Sequence, residues 1–122
     1  MDLLSGETAI FYFLTVAHLL TDFVFQGSLA VKKRGLNKYM LAHAGMMALA
    51  FFLPLIGYPA GRAVLASGIL FILHIIVDAT RIEINRIFKL LPGTWGGSIS
   101  MGLDQVAHIS IIYLLFRIVV LG

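Results

Sequence analysis

Residues 62–80 read RAVLASGILFILHIIVDAT, an apolar run long enough to cross a lipid bilayer as one helix. After Arg62, its only ionisable residues are His74 and Asp78. Their i, i+4 spacing places both side chains on one face of a helix, about 6 Å apart along the axis. Ionisable groups inside an apolar span are costly unless they are partnered, so this pair marks a candidate site.

Three further apolar runs accompany this stretch, and together they predict an all-α, four-helix transmembrane bundle that forms a single domain over residues 1–122. The predicted spans are residues 7–25, 39–57, 62–80 and 101–121. Hydrophobic residues make up 60% of the chain and charged residues 12%, whereas a soluble domain has about 25% charged residues. The net charge of +3 is too small to indicate a nucleic-acid partner, and the lack of cysteine excludes disulfides and thiolate metal sites.

Capping and breaking residues predict where the helices end. Asn37 can cap the second span, and Pro54 is expected to kink its last turn. Residues 81–91, RIEINRIFKLL, carry an apolar stripe beside a polar one, which predicts an amphipathic helix. This helix either continues the third span or lies in the membrane interface. Pro92-Gly93 is expected to stop it, and residues 94–100, TWGGSIS, are expected to form a flexible loop.

The distribution of basic residues predicts the orientation of the bundle. The connection between the first two spans and the connection between the last two hold most of the basic residues, which are Lys32, Lys33, Arg34, Lys38, Arg81, Arg86 and Lys89. The opposite side has only Arg62 and Arg117. Because short loops rich in Lys and Arg stay in the cytoplasm, we expect both long connections inside and both termini outside.

Seven ionisable residues then fall at one depth, in the cytoplasmic leaflet. They lie in HLLTD (18–22), LAHAG (41–45), HIIVD (74–78) and DQVAH (104–108), and they are His18, Asp22, His43, His74, Asp78, Asp104 and His108. The His-to-Asp order reverses in the last span, where the chain runs outward, so the spacing predicts a histidine layer beneath a carboxylate layer. The similarity of HLLTD and HIIVD suggests two helix hairpins related by a pseudo-twofold axis along the membrane normal.

Imidazoles and carboxylates in one layer predict a site for a divalent metal, Zn first and Mn or Fe as alternatives. The site could hold one metal, or two that share a bridging aspartate. A metal lowers the pKa of a bound water, so the first hypothesis is a metal-dependent hydrolase acting on a lipid or lipid-linked substrate. The histidines would be ligands with one or two of the carboxylates, and the remaining carboxylate would be general base or would orient a histidine, the candidates being Asp22, Asp78 and Asp104.

Other polar residues near this layer are expected to support it. Gln26 and Gln105 can donate hydrogen bonds to the ligands or join helices. Lys38 and Arg81, near the same surface, could hold a phosphate group.

Two other functions fit the same residues. A small metal-ion or proton transporter needs a polar path to the outer face, but the outer halves of the first three spans offer little beyond Tyr12, Thr15 and Ser67. A metal-free assembly or partner protein would use the His/Asp layer only to hold its helices together. A homodimer is also plausible if the small residues of two helices face the lipid, these being Ala44, Ala48, Ala63 and Ser67.

The combination of HLLTDFVFQ (18–26), LAHAG, HIIVD and DQVAH resembles a family of small bacterial and phage membrane proteins, the domain of unknown function 3307. The resemblance covers nearly the whole chain, and the family pattern matches His18, Asp22, Gln26, His43, His74, Asp78, Asp104, Gln105 and His108. It implies a multi-pass membrane protein and supplies no activity. We expect the protein in the bacterial inner membrane. A looser similarity to inner-membrane metal-dependent hydrolases, which also carry His and Asp at inner helix ends, raises the expectation of a hydrolase.

Overall fold

The computed structural model describes residues 6–25 and 37–122, and four helices pack together in these ranges. Helix α1 spans Gly6–Leu20 and continues as a π-helical turn, Thr21–Phe25. Helix α2 spans Lys38–Phe52 and ends in a 3₁₀ turn, Leu53–Leu55. Helix α3 spans Ala60–Phe88, and α4 spans Trp95–Leu114 before a π-helical turn, Leu115–Val120. The predicted all-α four-helix bundle is therefore confirmed.

The outer surface of the bundle is apolar, as expected of a protein surrounded by lipid. Large hydrophobic side chains such as Ile56, Ile72, Leu103 and Ile118 are more than half exposed. Three of the described helical segments are long and apolar enough to cross a membrane: Lys38–Leu55, Ala60–Phe88 and Trp95–Val120. These three segments are consistent with a membrane protein, and the crossing predicted for α1 stays a prediction.

The ends of α2 follow the sequence signals. Its N-terminus is capped by Asn37, whose side-chain oxygen accepts hydrogen bonds from the backbone N–H groups of Tyr39 and Met40 at 3.1 and 3.0 Å. At its other end the helix tightens to a 3₁₀ turn at Pro54, which has no N–H to continue the α-helical pattern.

The amphipathic segment 81–91 mostly continues α3, which runs without a break from Ala60 to Phe88. The helix ends before the expected Pro92-Gly93 breaker. Lys89 adopts a left-handed conformation with φ 53°, and its N–H bonds to the carbonyl of Asn85, which closes the helix.

The loop predicted for residues 94–100 is wrong, because α4 already begins at Trp95. The signal overlooked is Thr94, whose hydroxyl accepts a hydrogen bond from the N–H of Gly97 at 3.1 Å and caps the helix. A side chain at Gly97 would collide with the backbone carbonyl of Leu91, so glycine is needed where the connection approaches the new helix closely.

The buried interior has two parts of opposite character. The half of the bundle toward the two termini is filled by apolar side chains: Leu14, Met47, Phe51, Leu55, Ala63, Ala66, Leu70, Ile112, Leu115, Phe116 and Val120. The seven ionisable residues lie in the other half, one helical turn or more beyond this apolar core.

Two of the four small residues expected to face lipid are instead inside. Ala44 and Ala63 are fully buried, whereas Ala48 and Ser67 are half-buried. The buried alanines let α2 and α3 pack closely against each other within one chain, because small side chains permit close approach of helix backbones. The prediction of a lipid-facing surface is therefore wrong for Ala44 and Ala63, while the homodimer itself stays a prediction.

Candidate metal centre

All seven ionisable residues of the predicted layer meet in one buried cluster, to which every helix contributes. Helix α1 and its π turn supply His18 and Asp22, α2 supplies His43, α3 supplies His74 and Asp78, and α4 supplies Asp104 and His108. The most exposed member, Asp22, is only 7% accessible. The cluster forms because each helix places its ionisable residues on the face that it buries.

The four imidazoles form a continuous row across the bundle. The ring centroids of His43 and His74 are 4.8 Å apart, those of His74 and His108 are 4.2 Å apart and stacked, and those of His108 and His18 are 5.1 Å apart. The rings of His74 and His108 are stacked, whereas the other two pairs are tilted. Neutral imidazole is the form that binds metals.

The carboxylate of Asp78 lies at the centre of the cluster, fully buried, and it contacts three histidines. Its Oδ1 atom is 3.1 Å from Nε2 of His108, and its Oδ2 atom is 3.4 Å from Nε2 of His74. Oδ2 is also 3.7 Å from Nε2 of His43. The two oxygens of one carboxylate thus face two different sets of ligands.

The side chain of Asp22 turns away from its own helix. It is 3.9 Å from Nε2 of His18, its i, i+4 neighbour, but its Oδ1 atom is 3.1 Å from Nε2 of His43 on α2. Asp22 lies in the π-helical turn, whose wider spacing shifts it from the simple i, i+4 alignment. Such π turns often occur at functional sites.

Two groups of ligand atoms result, and Asp78 belongs to both. One group contains Asp22, His43, His74 and Asp78, and the other contains Asp78, Asp104 and His108. Within each group, the ligand atoms lie within 4.8 Å of one another. Atoms about 2.1 Å from a shared metal lie roughly 3.0–3.5 Å apart in octahedral or tetrahedral geometry. The Nε2 atoms of the histidines lie at similar distances, 3.1–3.7 Å, from the carboxylate oxygens of their group.

The imidazole nitrogens are not used up by hydrogen bonds. Both ring nitrogens of His43 and of His74, and Nδ1 of His108, are buried without a hydrogen-bond partner among the described residues. The Nε2 atoms of His43 and His74 lie 3.1 and 3.4 Å from the nearest carboxylate oxygens, which is within hydrogen-bonding distance. Direction, not distance, therefore excludes a hydrogen bond at these two atoms. Buried nitrogens without partners are costly, and a metal ion would satisfy one ring nitrogen of each histidine that binds it.

Comparison with known families identifies the chain. Residues 10–121 match the family described as Protein of unknown function (DUF3307). The chain belongs to this family. The matched segment includes every residue of both ligand groups, while no curated protein and no solved structure matches the chain. The family description names no activity, so the chemistry of the cluster is what indicates a function.

In this DUF3307 protein, the side chain of Gln105 joins residues of α1 and its π turn to α4 within the cluster. Its amide nitrogen donates to Asp22 at 2.6 Å and to Asp104 at 3.0 Å, and its amide oxygen lies 3.0 Å from Nε2 of His18. Gln105 is thus in contact with members of the cluster, and its supporting role in a metal site stays a prediction. Gln26, predicted to act in the same way, lies outside the described residues.

The environment of His18 differs from that of the other histidines. Its Nε2 atom contacts Gln105 and its Nδ1 atom lies 3.2 Å from the sulfur of Met47, so it is in neither ligand group. Its predicted role as a metal ligand stays a prediction. In the structure it packs against the imidazole row.

Arg81 of α3 joins the cluster from the polar end, with its Nε atom 3.2 Å from Oδ1 of Asp104. The sequence indicated Arg81 as a phosphate ligand but gave no sign of this ion pair, because the two residues are on different helices. Lys38, the other predicted phosphate ligand, has its ammonium 5.2 Å from the centroid of the Tyr39 ring.

Proposed function

We propose that this DUF3307 protein is a metal-dependent hydrolase acting on a lipid or lipid-linked substrate in the cytoplasmic leaflet of a bacterial inner membrane. The observation that carries the proposal is the pair of ligand groups joined by Asp78, in which the buried Nε2 atoms of His43 and His74 lie 3.1 and 3.4 Å from carboxylate oxygens without the direction of a hydrogen bond. This donor set of imidazole nitrogens and carboxylate oxygens suits Zn²⁺, with Mn²⁺ or Fe²⁺ as alternatives.

The charge of the cluster also supports a bound cation. With neutral imidazoles, the three carboxylates and the guanidinium of Arg81 sum to −2. An uncompensated ion in such an interior costs several kcal/mol. One divalent cation balances this charge, whereas two give a net charge of +2, which would attract an anionic substrate such as a phosphate dianion.

The residues divide into roles by position. His43, His74 and Asp78 would hold the first metal, while Asp78 and His108 would hold the second, which makes Asp78 the bridge. Asp22 and Asp104 lie at the edges of the cluster, where one carboxylate can complete a ligand set and another can accept a proton from water. When bound, the metal supplies a water of lowered pKa as nucleophile.

The apolar core argues against the transporter that the sequence left open. On the side of the histidines toward the two termini, the buried described residues are all apolar, and they include Leu14, Met47, Leu70 and Ile112 directly beyond the histidines. An ion would have to cross this region without a single buried polar partner. An enzyme, unlike a transporter, needs access to its site from only one side of the bundle.

The test combines metal content with turnover. Protein purified in detergent would be analysed by elemental mass spectrometry and then placed in vesicles of phosphatidylethanolamine and phosphatidylglycerol, with release of head groups and fatty acids followed by mass spectrometry. We expect stoichiometric metal, and product release that stops on chelation and in His74→Ala. Glu83→Gln, a surface carboxylate change on the same helix, should preserve both. Folded wild-type protein that binds no metal, or that acts equally well when chelated, would refute the proposal.

A further inference from the structure

We propose that the groove between α3 and α4 holds the hydrocarbon chain of a phosphate-bearing lipid, whose phosphate is bound by Arg81. The inference rests on the proposed hydrolase and names its substrate class and its route of entry. The groove has a volume of about 340 Å³, within the usual range for small-molecule sites.

The groove faces the lipid and is almost entirely apolar. On α3 its lining extends from Ile76 to Ile84, and on α4 from Ile99 to Ala107. Each stretch is about 12 Å long along its helix. Because the surroundings are hydrocarbon, a lipid chain can enter from the side without leaving the membrane.

The groove is continuous with the candidate metal centre, since Asp104 belongs to both. Arg81 also lines the groove and lies beside Asp104. A lipid chain lying here therefore brings the atoms at its polar end next to the second ligand group. This continuity is the first argument that the groove binds substrate.

The guanidinium of Arg81 is well placed to bind an anion. Its contact with Asp104 lacks hydrogen-bond direction, and Arg81 makes no hydrogen bond with any residue of the described ranges. The side chain is 19% exposed, and its Nε atom is buried. Guanidinium offers five donors in a planar fork that matches the oxygens of phosphate, so charge and shape both favour a phosphate group.

The polar end of the groove is closed by a contact between its two walls. The hydroxyl of Ser100 donates to the side-chain oxygen of Asn85 at 2.5 Å, which ties the extension of α3 to the first turns of α4. Thr80 and Ser100 line the groove near this end. A phosphate at Arg81 would therefore have hydroxyl groups close by, while the chain extends toward Ile76 and Ala107.

A second groove provides a comparison. It lies between α1 and α2, is larger at about 610 Å³, and is lined by residues such as Phe13, Leu49 and Ala50. Among the described residues, no charged side chain and no member of either ligand group lines it, and its lining includes one hydroxyl, that of Thr21. The described lining has room for a lipid chain but no cation to bind a phosphate, so we assign substrate to the α3/α4 groove.

The experiment measures lipid binding directly, by native mass spectrometry of detergent-purified protein. The probes are lysophosphatidic acid, which has one chain and a phosphate, and a monoacylglycerol with the same chain. Arg81→Gln should weaken binding of lysophosphatidic acid about 10- to 100-fold, the range expected for loss of charge-assisted hydrogen bonds. Arg86→Gln removes the same charge from the exposed end of α3 and should have little effect.

Placing a bulky side chain in each groove gives a second matched pair of variants. Ala107 and Ala50 are both half-buried alanines, one in each groove. Ala107→Trp should reduce binding of lysophosphatidic acid at least 10-fold, whereas Ala50→Trp should leave the Arg81-dependent binding intact. Inorganic phosphate at millimolar concentration should not compete, since the chain supplies part of the affinity.

Several results would overturn the inference: wild-type affinity in Arg81→Gln, equal affinity for the monoacylglycerol, or equal loss in both tryptophan variants. Competition by free phosphate would show that the site takes the ion and not the lipid. If Arg81→Gln is unfolded, Arg81→Lys keeps the charge without the planar fork and should still weaken binding. Arg81-dependent binding without metal or hydrolysis would refute only the proposed function, and hydrolysis without Arg81-dependent binding would refute only this inference.

Discussion

Replacing Asp78 with asparagine tests the central feature of the cluster, the carboxylate shared by two ligand groups. The change keeps the shape of the side chain but removes its charge and one acceptor oxygen. Both groups lose a ligand, since the two oxygens lie 3.1–3.7 Å from the Nε2 atoms of three histidines. Losing a residue that merely supports a ligand costs about 10- to 100-fold in metal affinity, so loss of a direct, shared ligand should cost at least about 100-fold at each group.

The effect on stability follows from linkage. Metal at 100 times its dissociation constant stabilises the folded protein by about 2.7 kcal/mol, and a 100-fold weaker site leaves only about 0.4 kcal/mol at the same concentration. Asp78→Asn should therefore abolish most of the metal-dependent rise in unfolding temperature, and its metal content after gel filtration should fall to near zero. Thermal unfolding in detergent would be measured once with metal and once with chelator, which gives the unfolding temperatures of the metal-bound and the metal-free protein.

A metal-free hydrogen-bonded layer predicts a different pattern for the same variant. Of the contacts made by Asp78 with these histidines, the one with His108 is a hydrogen bond, and such bonds in membranes are worth about 0.6–1.7 kcal/mol. The stability difference would then be small and independent of metal. Asp78→Asn protein that keeps wild-type metal content and the full metal-dependent stabilisation would refute the bridging role. Glu83→Gln is the matched control, because it changes an exposed carboxylate of the same helix.

Three further predictions follow from single contacts. His74→Ala should lose metal, whereas His18→Ala, outside both ligand groups, should keep most of it; equal loss in elemental analysis would make His18 a ligand. Gln105→Leu should destabilise the protein by about 1–3 kcal/mol in denaturation experiments, because buried acceptors and a ring nitrogen lose their partner. Gly97→Ala should lower the unfolding temperature through collision with a backbone carbonyl, while Gly102→Ala, with open space around it, should be neutral or stabilising by up to about 1 kcal/mol; similar behaviour of the two variants would contradict the close approach.

Much of the cluster could be predicted from sequence because ionisable residues in apolar runs are few and their spacing is helical. The i, i+4 pairs and the order reversal in the fourth span were enough to place seven residues in one layer. They could not show which partner each residue selects, since periodicity gives the face of a helix but not its rotation against a neighbour. Asp22 was expected to pair with His18, yet it contacts His43 through a π turn that has no clear sequence signal.

The wrong prediction at the start of α4 also arose because local sequence does not show how elements pack against each other. Residues 94–100 contain two glycines and three hydroxyl side chains, a composition typical of loops. The cap supplied by Thr94 and the close packing allowed by Gly97 outweigh that composition, and α4 begins two turns earlier than expected. Small residues in α2 and α3 could not be assigned to lipid or to the interior, because close helix packing uses them in both places.

The two halves of the interior together argue for one-sided chemistry. Every helix changes from apolar to ionisable buried residues at the same level, within one turn, as in Leu14 and His18 of α1 or Leu70 and His74 of α3. A structural polar layer does not need a lateral opening, and a transport path needs polar groups on both sides of the layer. The cluster instead has an apolar seal on one side and, at Asp104 and Arg81, a groove open to the lipid on the other. If the protein is the proposed hydrolase, that arrangement would keep water and ions from crossing the bundle while it admits a substrate already dissolved in the membrane, as hydrolysis of a lipid requires.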